Sequence, residues 1–170
     1  DTSHGADYFR RWHRLVECSG SLWLHKASHH FDLLNWWIDS DPESVYAAGA
    51  LDFYGKNGSI RAENCRTCKH TKECPFYFDI MRDRTMVDLY VENEKYDGYL
   101  RDGCVFKNDV NIFDKMAATI KYANGVQVAY SLTAYSPYEG YRIAFNGTIG
   151  RIDAWIEESK PTSEKNYDEI

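Results

Sequence analysis

Between residues 115 and 135 the chain alternates apolar and polar side chains on both sides of a single Asn-Gly pair. Few patterns restrict a fold so tightly. Period-two alternation belongs to a strand with one face buried, and Asn124-Gly125 suits a two-residue turn because both positions tolerate positive φ. The spacing therefore predicts a hairpin, 115–123 against 126–135. Residues 44–54, rich in Val, Ala and Tyr, predict another strand. Two more, 141–145 and 151–156, flank Gly147-Thr148-Ile149-Gly150. Strands joined in sequence by short turns make an antiparallel sheet.

The helical counterpart is the stretch from Leu24 to Trp37, which holds His25, Lys26, Ser28, His29, His30 and Asp32 ahead of Trp36-Trp37. Ser28 is the expected N-cap, because its hydroxyl can accept from an orphan amide near a helix start. From there His29, Asp32, Leu33 and Trp36 recur at helical spacing. The helix 28–38 should stop before Ser40-Asp41-Pro42, since a proline disfavours helical geometry in the residue ahead of it. Asp32, three residues after His29, is close enough to hold the imidazole in one tautomer. Such a pair suits a catalytic wall; it equally suits a histidine-capped packing helix. Residues 78–94 predict a second helix, 8–16 read as helix or loop, and 55–78 look irregular. The reading is α+β: a mostly antiparallel mixed sheet with helices on one face. One domain, 1–156, carries a cysteine-rich insertion at about 55–78. The charged tail, 157–170, is expected to be disordered or a severed connection.

A chain of 170 residues, 44% hydrophobic, can bury a sizeable core in one domain. Its net charge of −6 argues against a nucleic-acid platform, which would show a basic field. No apolar run reaches membrane-spanning length and no charged-then-apolar leader opens the chain. Neither nucleic acid nor membrane is expected as a partner. A cytoplasmic setting is expected, with the periplasm left open, because the chain starts at Asp1 without Met and reads as a fragment. Aromatic residues make up 15%. Rings stack on the apolar faces of sugars, though core and cross-strand pairs use them as readily. Asn57-Gly58-Ser59 and Asn146-Gly147-Thr148 match a glycosylation pattern and read as turns.

Cys65-Arg66-Thr67-Cys68 is a C-x-x-C, followed by Cys74 and Cys104. A C-x-x-C turn lets two thiolates reach one Zn²⁺, and two more complete a tetrahedron. Such a site would pin the insertion to the segment at Gly103-Cys104. Reduced thiols, disulfides and an iron–sulfur cluster are the alternatives, and His70 is an alternative fourth ligand. Cys18 is left over as a plain thiol.

The block from His25 to Asp32 resembles the C-terminal, substrate-side domain of the oxidoreductase family that includes glucose–fructose oxidoreductase, inositol dehydrogenase and MocA-like proteins. That family carries an Asp, a His four residues later and an Asp three further on, facing the nicotinamide. The His falls on His29 and the last acid on Asp32, while the first acid position holds His25. The segment from Tyr138 to Ile152 resembles the family's strand, Gly-Thr-x-Gly turn and returning strand. Asp7 to Arg14, with Ser19-Gly20 after it, is similar to a subgroup.

The resemblance implies a substrate-binding and oligomerisation domain of an NAD- or NADP-dependent enzyme acting on a sugar, a cyclic polyol or a derivative. His29 would exchange the hydroxyl proton or bind that hydroxyl, with Asp32 orienting it. His25 and Lys26 would line the site, and Tyr8, Arg10, Arg11 and Trp12 would contact the distal substrate. The open sheet face would join subunits into a homo-oligomer. The Gly-x-Gly-x-x-Gly fingerprint and the Glu-Lys-Pro lysine of the family's Rossmann half are absent; Gly55-Lys56-Asn57-Gly58 lacks the spacing and reads as a hairpin loop. The chain alone is therefore expected to be inactive. Two alternatives are a same-fold glycosidase using NAD in a transient oxidation, and a non-catalytic carbohydrate- or metal-binding module.

Overall fold

A computed structural model describes residues 4–136 and 139–158. Tyr138 and the tail from residue 159 onward lie outside them. The chain is α+β, with a three-stranded antiparallel sheet in the order β1 (Pro42–Ala50), β2 (Lys115–Tyr122), β3 (Gln127–Thr133). A separate antiparallel pair is formed by β4 (Gly140–Asn146) and β5 (Arg151–Glu157). Among the described residues every named strand pair is antiparallel.

The alternation in β2 does what its period dictates. Met116, Ala118, Ile120 and Tyr122 are buried, while Lys115, Ala117, Thr119 and Lys121 face solvent. The turn differs from the expectation. Gly125 donates to the Tyr122 carbonyl at 2.9 Å, Tyr122 to the Val126 carbonyl at 2.9 Å, and only Gly125 has positive φ, at 87°. Three residues make the loop, with glycine in the left-handed position. Asn124 serves hydrogen bonding instead: its Oδ1 accepts from Val126 N and its Nδ2 donates to Ile38 O.

Four helices precede β1 in sequence: α1 (His4–Arg10), α2 (Val16–Ser19), α3 (Ser21–His25) and α4 (Ala27–Ile38), with a 3-10 turn at Trp12–Arg14. Ser28 is not an N-cap. Helix α4 starts at Ala27, one residue after α3, and its cap position, Lys26, makes no side-chain capping bond. The chain ahead of Ser28 is already helical, so the first amides have carbonyls upstream and need no hydroxyl. Helix α4 packs on the sheet through Phe31 and Ile38, which with Trp23, Val128 and Tyr130 surround Ala118, Ile120 and Tyr122. Tyr8, Phe9, Leu22, Tyr54, Val105, Phe106, Ile112 and Met116 anchor the other half of the core, behind α1.

The single helix expected over 78–94 is broken up. A 3-10 turn at Ile80–Arg82 leads into α5 (Arg84–Leu89), another 3-10 turn at Val91–Asn93, and α6 (Glu94–Asp97). Asp83 accepts from Met86 N and starts α5 afresh, which ends the preceding turn. Gly55–Asn57 is a 3-10 turn and not a hairpin loop, with Asn57 Nδ2 donating to the Leu51 and Tyr54 carbonyls.

Buried carboxylates hold the irregular parts. Asp114, fully buried, accepts the amides of Asp52, Phe53 and Tyr54 at 2.7–3.0 Å and so fixes the exit from β1. Asp102, also fully buried, accepts from the backbone and guanidinium of Arg66. Charge-assisted bonds of this kind are roughly twice as strong as neutral ones, which suits a segment with little regular structure.

Candidate active site

Helix α1, the Trp12–Arg14 turn and α3 bring four rings together. Tyr8 and His13 have centroids 4.8 Å apart, Tyr8 and His25 5.5 Å, and His13 and His25 4.9 Å, while Trp12 stacks on His13 at 3.7 Å. Tyr8 and His13 form the buried floor; Trp12 and His25 reach the surface. Burial lowers His13 to a pKa of about 4, helped by the positive charge of Arg11, so its imidazole is neutral at pH 7. Burial raises Tyr8, which keeps its phenol protonated. His13 Nδ1 is a buried polar atom without a hydrogen-bond partner among the described residues, whereas the Tyr8 hydroxyl has the Ser19 side chain beside it. Buried polar atoms nearly always find a partner, so a ligand hydroxyl or water would be well received at His13. His13 was not singled out by the sequence reading; its adjacency to Trp12 was the available signal.

Helix α4 sets His29 and Asp32 one turn apart and both exposed. No hydrogen bond joins them among the described residues. His29 stands toward solvent, outside the sheet–helix core. Its neighbour His30 is tied down: its Nδ1 and the Tyr130 hydroxyl share a hydrogen bond at 2.8 Å, and burial pushes the Tyr130 pKa up to about 12. Burial lowers the pKa of His30. Asp32 borders a shallow open groove with Asn35, Trp36, Asp39, Ser40 and Asp41. Lys26 is half-buried at the junction of α3 and α4.

Of the predicted distal contacts, Trp12 is accessible and Arg11 is half-buried, with Nη1 3.9 Å from Asp7. Arg10 lies elsewhere. It is 2% exposed, and its guanidinium donates to Cys65 Sγ, Gly103 O and Phe76 O. The side chain points into the protein, behind the ring cluster.

Cys65, Cys68, Cys74 and Cys104 all line one small cavity, together with Arg10 and Phe76, and none is in a disulfide. His70 does not line it; its Nδ1 faces Glu73. Among the described residues no group of three or more His, Cys, Asp or Glu side chains is already arranged to hold a metal. Cys18 is exposed and apart. No described helix is long and apolar enough to cross a membrane.

The four-ring cluster offers ring faces for stacking, and His29, exposed on α4, carries an imidazole able to exchange a proton. The chain is 39% identical over 167 residues to "Putative oxidoreductase YteT" of Bacillus subtilis (strain 168), a match covering 91% of this chain and 39% of that protein. It thus spans well under half the length of this curated relative. Residues 1–165 match the oxidoreductase family, C-terminal alpha/beta domain, and the chain belongs to that family.

Proposed function

We propose that this chain is the substrate-side and subunit-contact domain of an NAD- or NADP-dependent oxidoreductase acting on a sugar, a cyclic polyol or a derivative. The observation that carries the reading is His29: exposed, near the start of α4, one turn from Asp32 and following the helix whose His25 joins the ring cluster. The described residues contain no strand, glycine-rich turn and helix of the dinucleotide-binding kind. When bound by the other half, a nicotinamide exchanges hydride with the carbinol carbon.

His29 takes the hydroxyl proton as the carbinol carbon is oxidised, and returns it in the reverse direction. Asp32 stabilises the imidazolium from one turn away. Trp12 and His25 offer ring faces to the apolar side of the substrate.

The open sheet face supports the subunit contact. Its middle carries Ala48, Ala117, Thr119, Ala129, Ser131 and one large ring, Tyr46, with Lys115 and Lys121 toward its ends. A second copy can approach such a face closely.

The test uses the full-length protein. Purified without added cofactor, it should retain nicotinamide, detected by absorbance and mass spectrometry, and reduce or oxidise members of a sugar and polyol panel. A protein that neither retains nor turns over NAD or NADP with any of them would remove the reading. Light scattering should give a mass above the monomer.

A further inference from the structure

The cysteine cavity is the most unusual feature that the proposed reaction leaves unused. Four thiols separated by as many as 39 positions converge on it: Cys65 and Cys68 from one turn, Cys74 from the next, and Cys104 from across the antiparallel bridge between Asn64 and Gly103. Its volume is about 10 Å³, enough for roughly one water-sized sphere. That is room for a single ion.

Two of the four sulfurs already receive N–H donors. Cys65 Sγ accepts from Arg10 Nη1 at 3.1 Å and Cys68 Sγ from the His70 amide at 3.3 Å. A thiol is a weak acceptor, whereas a thiolate is anionic and strengthens each such bond. Outer donors to ligand atoms are a regular part of metal sites.

Arg10 supplies an independent sign. Its guanidinium is buried, and among the described residues it meets two carbonyls and a sulfur but no carboxylate. A buried cation without a counter-charge is costly. Four thiolates around one divalent ion carry a net charge of −2, which would provide that counter-charge.

We propose that Cys65, Cys68, Cys74 and Cys104 bind one zinc ion as a closed tetrathiolate. Binding releases the four thiol protons to solvent and requires the side chains to turn inward to Zn–S distances of about 2.3 Å. The ion clamps the Asn64–Phe76 segment to Gly103–Phe106 and, through Arg10, to the end of α1. Its role is structural, since a closed site has no position for substrate.

Full-length protein prepared without chelator should contain one zinc per chain by plasma mass spectrometry. Cys68→Ser and Cys104→Ser should each lose most of it, while His70→Ala keeps it. If those cysteine variants fail to fold, the wild type still decides: modifying its thiols with an organomercurial should release zinc in step with the loss of four thiols. Wild-type protein that is folded, metal-free and freely titratable at these thiols would overturn the proposal. So would a mass two or four hydrogens short of the reduced chain, or stoichiometric iron in place of zinc. None of these outcomes depends on whether the protein turns over a sugar.

Discussion

Asp114 and His29 lie at opposite extremes of how this chain treats a polar side chain. Asp114 has no exposed surface and satisfies three backbone amides where β1 gives way to irregular chain. His29 is exposed on α4 and bonds no side chain among the described residues. The same division separates whole regions. Behind α1, Arg10, Arg101, Asp102 and Asp114 are buried and engaged; along α4, His29, Asp32 and Trp36 face outward. Buried polar groups with partners hold a loop-rich interior in one arrangement. Exposed groups without partners contribute little to folding and are available for a ligand. The contrast distinguishes residues whose loss should unfold the protein from those whose loss should only silence it.

The largest expected effect tests the buried side. Asp114→Ala strands three buried amides at once and should destabilise the full-length protein by about 3–5 kcal/mol, read from denaturant unfolding followed by Trp fluorescence. A loss below about 1 kcal/mol would mean that water reaches those amides and that the buried side is less demanding than its geometry suggests. His29→Ala should do the reverse. It should lower kcat roughly 10²-fold or more while moving stability by less than about 0.5 kcal/mol. Unchanged turnover, or a large stability loss, would place His29 with the packing residues.

His13 falls between the two classes, because it is buried yet belongs to the ring cluster. Its pKa is lowered from 6.5 to about 4, so the folded state holds it neutral. Below pH 6.5 the unfolded chain takes up a proton that the folded chain refuses, so the contribution is complete above that pH and is lost as pH falls toward 4. The wild type should lose about 1–3 kcal/mol more than His13→Phe between pH 7 and pH 4. Parallel stability curves for the two proteins would show that the site is wetter than its burial implies. The smallest effect belongs to Asp32→Asn. If the carboxylate only stabilises the imidazolium, kcat should fall less than about 10-fold and less than with His29→Ala.

The strands were largely legible because their signal is local. Met116, Ala118, Ile120 and Tyr122 alternate with polar residues, and no tertiary knowledge is needed to see which face they bury. The Asn124-Gly125 turn was located correctly but its length was missed, because Asn124 serves the end of α4 and does not take the left-handed conformation. The start of α4 was misread for a similar reason: Ser28 looks like a cap only if the chain before it is not helical. The breaks within 78–94 depend on Asp83 competing as a cap, which helical periodicity does not reveal. Of the site, family resemblance supplied His29 and Asp32, which the structure places exposed on α4. It also grouped Arg10 with Arg11 and Trp12. Sequence gives no sign that one basic residue in an Arg-Arg-Trp-His-Arg block turns inward, since its partners are a cysteine 55 residues on and carbonyls at 76 and 103.

The single non-helical residue between α3 and α4 has a consequence for engineering. Lys26, with φ −114° and ψ −48°, interrupts the helix between His25 and His29, so the two imidazoles belong to segments whose angular phase is set at one hinge. In an unbroken helix, four residues would hold both rings in a fixed relation. Here a change at position 26 alone, such as Lys26→Gly to loosen the junction or Lys26→Ala to favour a continuous helix, can rotate His29 relative to His25 while neither histidine is altered. A library confined to that one position would vary the relation of the two rings while leaving both histidines in place.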